Sequence, residues 1–189
     1  MSRSRAAEQR DVAAKDRELA ARDRAEAARD REVAAAELAA EGMDDLTGTM
    51  RRRVGLAAIQ REIDRTCRSG ESLVVAYIDV DGLKAVNDTA GHLAGDELLT
   101  AVARSIMHYL RSYDVICRFG GDEFVCSLAG QDLDGARDRF RQIGTRLSEA
   151  RSGATISVGF AERGEDDTLK GLIGRADRAL IGGRTRPEA

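Results

Sequence analysis

The sequence predicts an α+β fold, a ferredoxin-like antiparallel sheet flanked by helices and preceded by one long N-terminal helix. Three observations carry this. Residues 1–42 are a charged, Ala-rich segment with a seven-residue repeat. From residue 43 to 189 the pattern changes to apolar runs alternating with helical spacing. Those patterns succeed one another as β-α-β-β-α-β, with two helices in the first crossover, which is the split β-α-β order. A chain of 189 residues has room for one such domain and an appendage.

The appendage repeats Arg10-Asp11-Val12-Ala13-Ala14, Arg17-Glu18-Leu19-Ala20-Ala21, Arg24-Ala25-Glu26-Ala27-Ala28 and Arg31-Glu32-Val33-Ala34-Ala35. These are strong helix formers without internal Gly or Pro. Asp11 with Lys15 and Glu18 with Arg22 stand four apart, acid before base, which supports a solvated helix from about residue 5 to 41. Val12, Leu19 and Val33 share one heptad position, which Glu26 interrupts. A parallel two-stranded coiled coil, an isolated charged helix and a disordered arm all remain open. Gly42 can end the helix.

Within residues 43–189, Leu56, Ile59, Ile63 and Cys67 mark one helical face, and the near-continuous apolar run Ser72 to Ile78 reads as a central strand. A short helix near Leu83 to Ala90 precedes a longer one with Leu99, Val102, Ile106 and Tyr109 on its inner face. Val115–Phe119 and Glu123–Leu128 are short strands flanking Gly120-Gly121, a connection suited to the positive φ angles of a tight hairpin. Ala136, Phe140, Ile143 and Leu147 mark another helix, Ala154 to Ala161 a strand, and Leu169, Ile173, Ala176 and Leu180 the last helix.

Composition narrows the partners. The formal net charge is −3 with 33% charged residues of mixed sign, so there is no basic footprint for a nucleic-acid polymer and no membrane-surface signature. The longest apolar run is too short to span a bilayer, and the N-terminus lacks the apolar stretch of a signal peptide. The expectation is a cytoplasmic protein without membrane insertion. Its three cysteines, Cys67, Cys117 and Cys126, form no CxxC pair and read as reduced packing residues.

In this topology the end of the first strand lies about 5 Å, one strand spacing, from the start of the third. Asp79 and Asp81 stand at the first place, Asp122 and Glu123 at the second. Carboxylates gathered in this way repel one another unless a cation holds them, and hard oxygen donors suit Mg²⁺ or Mn²⁺. The alternative is that Asp81 and one of the later acids are solvated turn residues. A metal with few protein ligands fills its shell with water and substrate phosphate, which points to nucleotide chemistry on a palm-like sheet. Lys84 is placed to meet polyphosphate, and Asn87 with Asp96 supplies the donor and acceptor needed at a purine edge. Asn87-Asp88 could instead be a turn, and Asp96 a charge at a helix N-terminus.

Arg118-Phe119-Gly120-Gly121-Asp122-Glu123-Phe124 resembles the signature of the GGDEF family of diguanylate cyclases. Asp44-Asp45-Leu46-Thr47-Gly48 is similar to the family's D-x-L-T-G, Asp79 to Asp88 to its D-x-D-x-F-K-x-x-N-D block, and Gly91 to Asp96 to its G-H-x-x-G-D block. Ser157-Val158-Gly159 and Ala176-Asp177-Arg178-Ala179-Leu180 match later elements, so the likeness runs through the whole globular part.

The resemblance implies condensation of two GTP into cyclic di-GMP with release of two pyrophosphates. It implies Mg²⁺ or Mn²⁺ on Asp79, the Val80 carbonyl, Asp122 and Glu123, with Asp122 helping to deprotonate the ribose 3′-hydroxyl. Lys84 would stabilise the phosphoryl transition state, Asn87 and Asp96 would bind guanine, and Gly120 and Gly121 would let backbone approach the nucleotide. His92 would brace the loop or pack structurally. One GTP per domain makes a homodimer necessary, with the N-terminal helix as a pairing device. Arg111-Ser112-Tyr113-Asp114 matches the R-x-x-D of product-inhibited members, with Arg111 and Asp114 taking cyclic di-GMP, a surface ion pair being the other reading.

The last helix departs from the family pattern. Ile181 stands for an aromatic, Arg184 for a Lys and Glu188 for an Arg, with Gly182-Gly183 between, so triphosphate binding falls to Arg184 alone or with Arg186. Leu83 stands for Phe. A catalytically weak or inactive domain that binds cyclic di-GMP is the alternative function.

Overall fold

The computed structural model describes residues 42–150 and 153–184, with Arg22 and Arg29 upstream, both helical. The chain divides into two units, Met1–Glu41 and Gly42–Ala189. The expected long N-terminal helix otherwise lies outside the described residues, as do Arg186, Glu188 and the side chain of Arg184.

Residues 42–184 fold as β1 (Met50–Arg51), α1 (Arg52–Ser69), β2 (Leu73–Val80), α2 (Leu83–Ala90), α3 (His92–Tyr109), β3 (Val115–Arg118), β4 (Glu123–Ala129), α4 (Leu133–Glu149), β5 (Ile156–Glu162) and α5 (Leu169–Arg184). The sheet order is β1-β3-β4-β2-β5. β4 runs antiparallel between β2 and β3, and β5 antiparallel on the far side of β2, as the split β-α-β order requires.

β2 shows why this sequence centres the sheet. Its apolar side chains alternate across both faces, so a continuous run is needed. Val74, Ala76, Ile78 and Val80 enter the core under α3 and α4, with Leu99, Val102, Phe140 and Ile143. Leu73, Val75 and Tyr77 enter a second core under α1 and α5, with Ile59, Ile63, Leu172 and Ala176. α5 sits so close to β5 that a β-carbon on Gly159 would lie 2.1 Å from the Ala176 carbonyl oxygen. Among the described residues no helix is long and apolar enough to cross a membrane.

Four expectations change. β1 is additional, a two-residue strand parallel to β3, with no apolar run to announce it. β2 extends through Asp79 to Val80, past the expected end at Ile78, so Asp79 is held within the ladder. Gly120 and Gly121 lack positive φ, and the β3–β4 connection spans Phe119 to Asp122, closed by the Phe119 N–H donating to the Glu123 carbonyl at 2.8 Å. Positive φ occurs instead at Gly82 and Gly91, which flank α2. Cys67 is exposed while Cys117 and Cys126 are buried. On α1 the third inward position after Ile59 and Ile63 falls to Thr66, whose hydroxyl donates to the Glu62 carbonyl, and this rotates Cys67 out.

Candidate functional site

The strand register brings two of the four expected carboxylates face to face. Asp79 and Glu123 are direct partners in the β2–β4 register. One step further the Val80 N–H donates to the Asp122 carbonyl at 3.0 Å, locking the start of β4 to the end of β2. Asp81 follows, its Oδ1 accepting from the Ser157 hydroxyl at 2.7 Å. Among the described residues no three His, Cys, Asp or Glu side chains form a closed metal cluster. What the edge offers is a register pair of carboxylates, Asp79 and Glu123, with Val80 and Asp122 the next residues along their strands. That hard and incomplete oxygen set suits an ion such as Mg²⁺, which keeps several waters and shares substrate phosphates.

α2 explains how the remaining groups reach this edge. It has no fully buried residue, and only Leu83 and Val86 of its residues pack partly buried against the core. It carries Lys84 and Asn87 into a cleft of about 430 Å³, which His92 and Asp96 of α3 line from the other side and Arg118, Gly121 and Asp122 close at the sheet. Leu83 and Leu99 form part of its apolar wall. Gly95 makes the helix pairing possible, because a β-carbon there would lie 2.0 Å from the Asn87 Oδ1. Lys84, Asn87, Asp96, Gly121 and Asp122, singled out from sequence, thus share one cleft. His92 lines it and is exposed.

The GG turn is held by groups to which the sequence reading gave no role. Arg118 donates from Nη2 to the Gly121 carbonyl at 2.7 Å and from Nη1 to Asp44 at 3.2 Å. Asp44 also accepts from the Thr47 hydroxyl at 2.7 Å and the Thr47 N–H at 3.0 Å. Burial works to raise the Asp44 pKa, but the Thr47 hydrogen bonds and the Arg118 charge outweigh it and leave the carboxyl below its ordinary value. The Asp44-to-Thr47 spacing is a local turn signal that could have suggested half of this network. Arg118, 74 residues away, could not have been linked to it from sequence.

Gly120 serves close approach, since a β-carbon there would lie 2.4 Å from Glu123 Oε2. Next to it the Phe119 ring packs edge-on against Tyr77, centroids 5.4 Å apart, with the Arg52 guanidinium 3.9 Å over its face. Burial first, then the hydrogen bond and charge of Glu123, push the Tyr77 phenol well above its ordinary pKa.

Arg111 and Asp114 lie before β3, at the opposite end of that strand from the GG turn. The Asp114 side chain is fully buried and pairs with Arg139 at 2.7 Å, while its Oδ2 also accepts the Arg111 N–H at 2.8 Å. Arg111 itself reaches outward to the Tyr113 hydroxyl at 2.7 Å. At the other departure, α5 continues through Gly182 and Gly183 to Arg184, and Ile181 is exposed.

The family model for the diguanylate cyclase GGDEF domain matches residues 41–186. The chain is 35% identical over 147 residues to the diguanylate cyclase DosC of Escherichia coli, covering 74% of this chain and 32% of that protein. It is 32% identical over 144 residues to the diguanylate cyclase DgcP of Pseudomonas aeruginosa, covering 72% of this chain and 22% of that one. The chain thus spans a third or less of the length of these curated relatives. Among solved structures, the coiled coil and GGDEF domain of DgcB from Caulobacter crescentus, in complex with c-di-GMP, aligns with a TM-score of 0.78 at 26% identity, covering 87% of this chain and 91% of that one. The diguanylate cyclase SiaD of Pseudomonas aeruginosa, in complex with its activator SiaC, aligns with a TM-score of 0.72 at 32% identity, covering 96% of this chain and 75% of that one. With its signature on the β3–β4 turn and its paired acids in register, this chain belongs to the GGDEF diguanylate cyclase domain family.

Proposed function

We propose that the chain is a diguanylate cyclase, condensing two GTP into cyclic di-GMP and two pyrophosphates with a divalent metal, as a pair of domains. The observation that carries this is one cleft holding Lys84, Asn87, Asp96 and Asp122 beside the Asp79–Glu123 register pair. Asn87 and Asp96 would bind the guanine edge and Lys84 would meet the phosphates, a reading supported by their sharing one cleft. Asp79, the Val80 carbonyl, Asp122 and Glu123 would hold Mg²⁺ or Mn²⁺, whose contribution is charge neutralisation at the phosphates and activation of the attacking oxygen.

Asp122 takes the proton as the ribose 3′-oxygen of one GTP attacks the α-phosphorus of the other. The new P–O bond forms as the α–β phosphoanhydride breaks and pyrophosphate leaves. A single cleft holds one GTP, so each half of the product comes from a different domain. The c-di-GMP in the DgcB structures and the coiled coil in one of them support the product and the pairing device proposed for residues 1–42.

The test is incubation of purified protein with GTP and Mg²⁺, following cyclic di-GMP by chromatography. Wild type is expected to make it, and Asp122→Ala to lose about 10²–10⁴-fold in rate while staying folded. Absence of product at high enzyme concentration would favour the second reading, a cyclic di-GMP binding module, to which Ile181 and Glu188 in the C-terminal sequence point. The exposed Arg111, its backbone held by the buried Asp114 carboxylate, is the proposed inhibitory site. Added cyclic di-GMP should slow wild type and leave Arg111→Ala unaffected.

A further inference from the structure

We infer that Arg139 is a positioning residue for the proposed inhibitory site, holding the Asp114 carboxylate inside the domain, where it pins the backbone of Arg111 and touches no ligand. The inference rests on the reading of Arg111 as the group that takes cyclic di-GMP. Arg139 lies on α4 between the buried Ala136 and Ile143, at the edge of that helix's inner face. From there its guanidinium reaches the loop between α3 and β3, 25 residues back in the chain.

A single oxygen joins the two arginines. Asp114 Oδ2 accepts from Arg139 Nη1 at 2.7 Å and from the Arg111 N–H at 2.8 Å. The Asp114 N–H donates in return to the Arg111 carbonyl at 3.0 Å, so both polar groups of the Arg111 backbone are fixed. The Asp114 side chain is 0% exposed and that of Arg139 13%. The remaining Oδ1 is closed off from solvent, with no hydrogen-bond partner among the described residues. A ligand therefore has no route to this carboxylate while Arg139 holds it. Without the Arg139 charge the buried carboxylate would be uncompensated, which is costly enough to draw it, and the loop with it, toward water. What a ligand meets is the Arg111 side chain, directed outward with Nη1 on the Tyr113 hydroxyl at 2.7 Å and the guanidinium carbon 5.7 Å from the centre of that ring. A guanidinium whose base is fixed forks onto phosphate or a guanine edge at a lower ordering cost.

The test is calorimetric titration of the full chain with cyclic di-GMP, which needs no turnover. Arg139→Gln is expected to weaken binding about 5–10-fold, the scale of one long side chain losing its preorganisation. Asp114→Asn keeps an oxygen for both donors and should bind within about 2-fold of wild type, whereas a carboxylate that touched the ligand would lose about 10-fold or more on this change. Arg139→Gln alone strands a buried charge, so it is also made in the Asp114→Asn background, where it should bind about 5–10-fold more weakly than Asp114→Asn. Binding of a GTP analogue blocked at the α–β bridge should be equal in wild type and Arg139→Gln, and a parallel loss there would overturn positioning in favour of a general structural role. Cyclic di-GMP affinity that is the same with and without Arg139, or a loss in Asp114→Asn as large as in Arg111→Ala, would overturn the positioning role and leave Arg111 as the site. Arg111→Ala binding as tightly as wild type, or a wild-type chain that binds none, would overturn the inhibitory-site reading and this role with it.

Discussion

Asp44 and Arg118 couple the start of the domain to the turn that carries its signature. Both side chains are about four-fifths buried, and Arg118 divides its donors between Asp44 and the Gly121 carbonyl. Replacing Asp44 with Asn removes a charge-assisted hydrogen bond worth about 1–3 kcal/mol. The folded carboxyl titrates below its ordinary value of 3.8, so the native state holds the ionised form more firmly than the unfolded chain does. Its contribution to stability is therefore complete above about pH 4–5 and is lost as pH falls through the lowered native value. Urea denaturation of wild type and Asp44→Asn should give a constant gap near neutrality that closes below pH 3.8. A gap independent of pH would show that the carboxylate charge does not hold Arg118. This pair also marks what single residues conceal. Lys84, Asn87, Asp96 and Asp122 were legible because local spacing and topology bring them together. Arg118 was not, because it acts through a partner 74 residues away.

At the scale of elements, the strands and helices follow from periodicity, while the joints depend on close contacts that periodicity does not encode. α2 was legible to the residue, bounded by Gly82 and Gly91. The β3–β4 turn was located correctly, but the positive φ expected of its glycines is absent, and Gly120 makes room for the Glu123 carboxylate. The seat of α5 on β5 is another such joint. A methyl at position 159 would meet the Ala176 carbonyl oxygen at 2.1 Å and the Leu180 nitrogen at 2.2 Å, both backbone atoms that no rotamer change can move. Gly159→Ala must displace the helix, and overpacking of this kind costs about 2–3 kcal/mol. For a domain of this size that is a fall in Tm of roughly 5–10 °C. Calorimetry on the variant checks it, and an unchanged Tm would mean that α5 is seated differently.

For the whole molecule, the proposed chemistry sets a requirement that one cleft cannot meet. On that proposal Lys84, Asn87 and Asp96 would hold one nucleotide in the cleft they line, and since two GTP must react the active species would contain two copies. The rate should then follow the dimer and not the total protein. Below the dimer dissociation constant the initial rate is expected to rise with the square of enzyme concentration, and above it linearly. The heptad repeat of residues 10–35 is the feature of the sequence suited to pairing, and its apolar seam of Val12, Leu19 and Val33 is thin. Pairing should accordingly be reversible in the working range. A chain beginning at Met43 keeps the residues proposed for the cleft and loses that seam, so its quadratic regime should extend to higher concentration while its limiting specific activity matches the full chain. Initial rates across a dilution series, with mass from analytical ultracentrifugation at the same concentrations, check this directly. A rate linear in enzyme where ultracentrifugation finds monomer would refute catalysis by paired half-sites. Coincident curves for the two chains would remove residues 1–42 from the pairing and leave it to the catalytic domains.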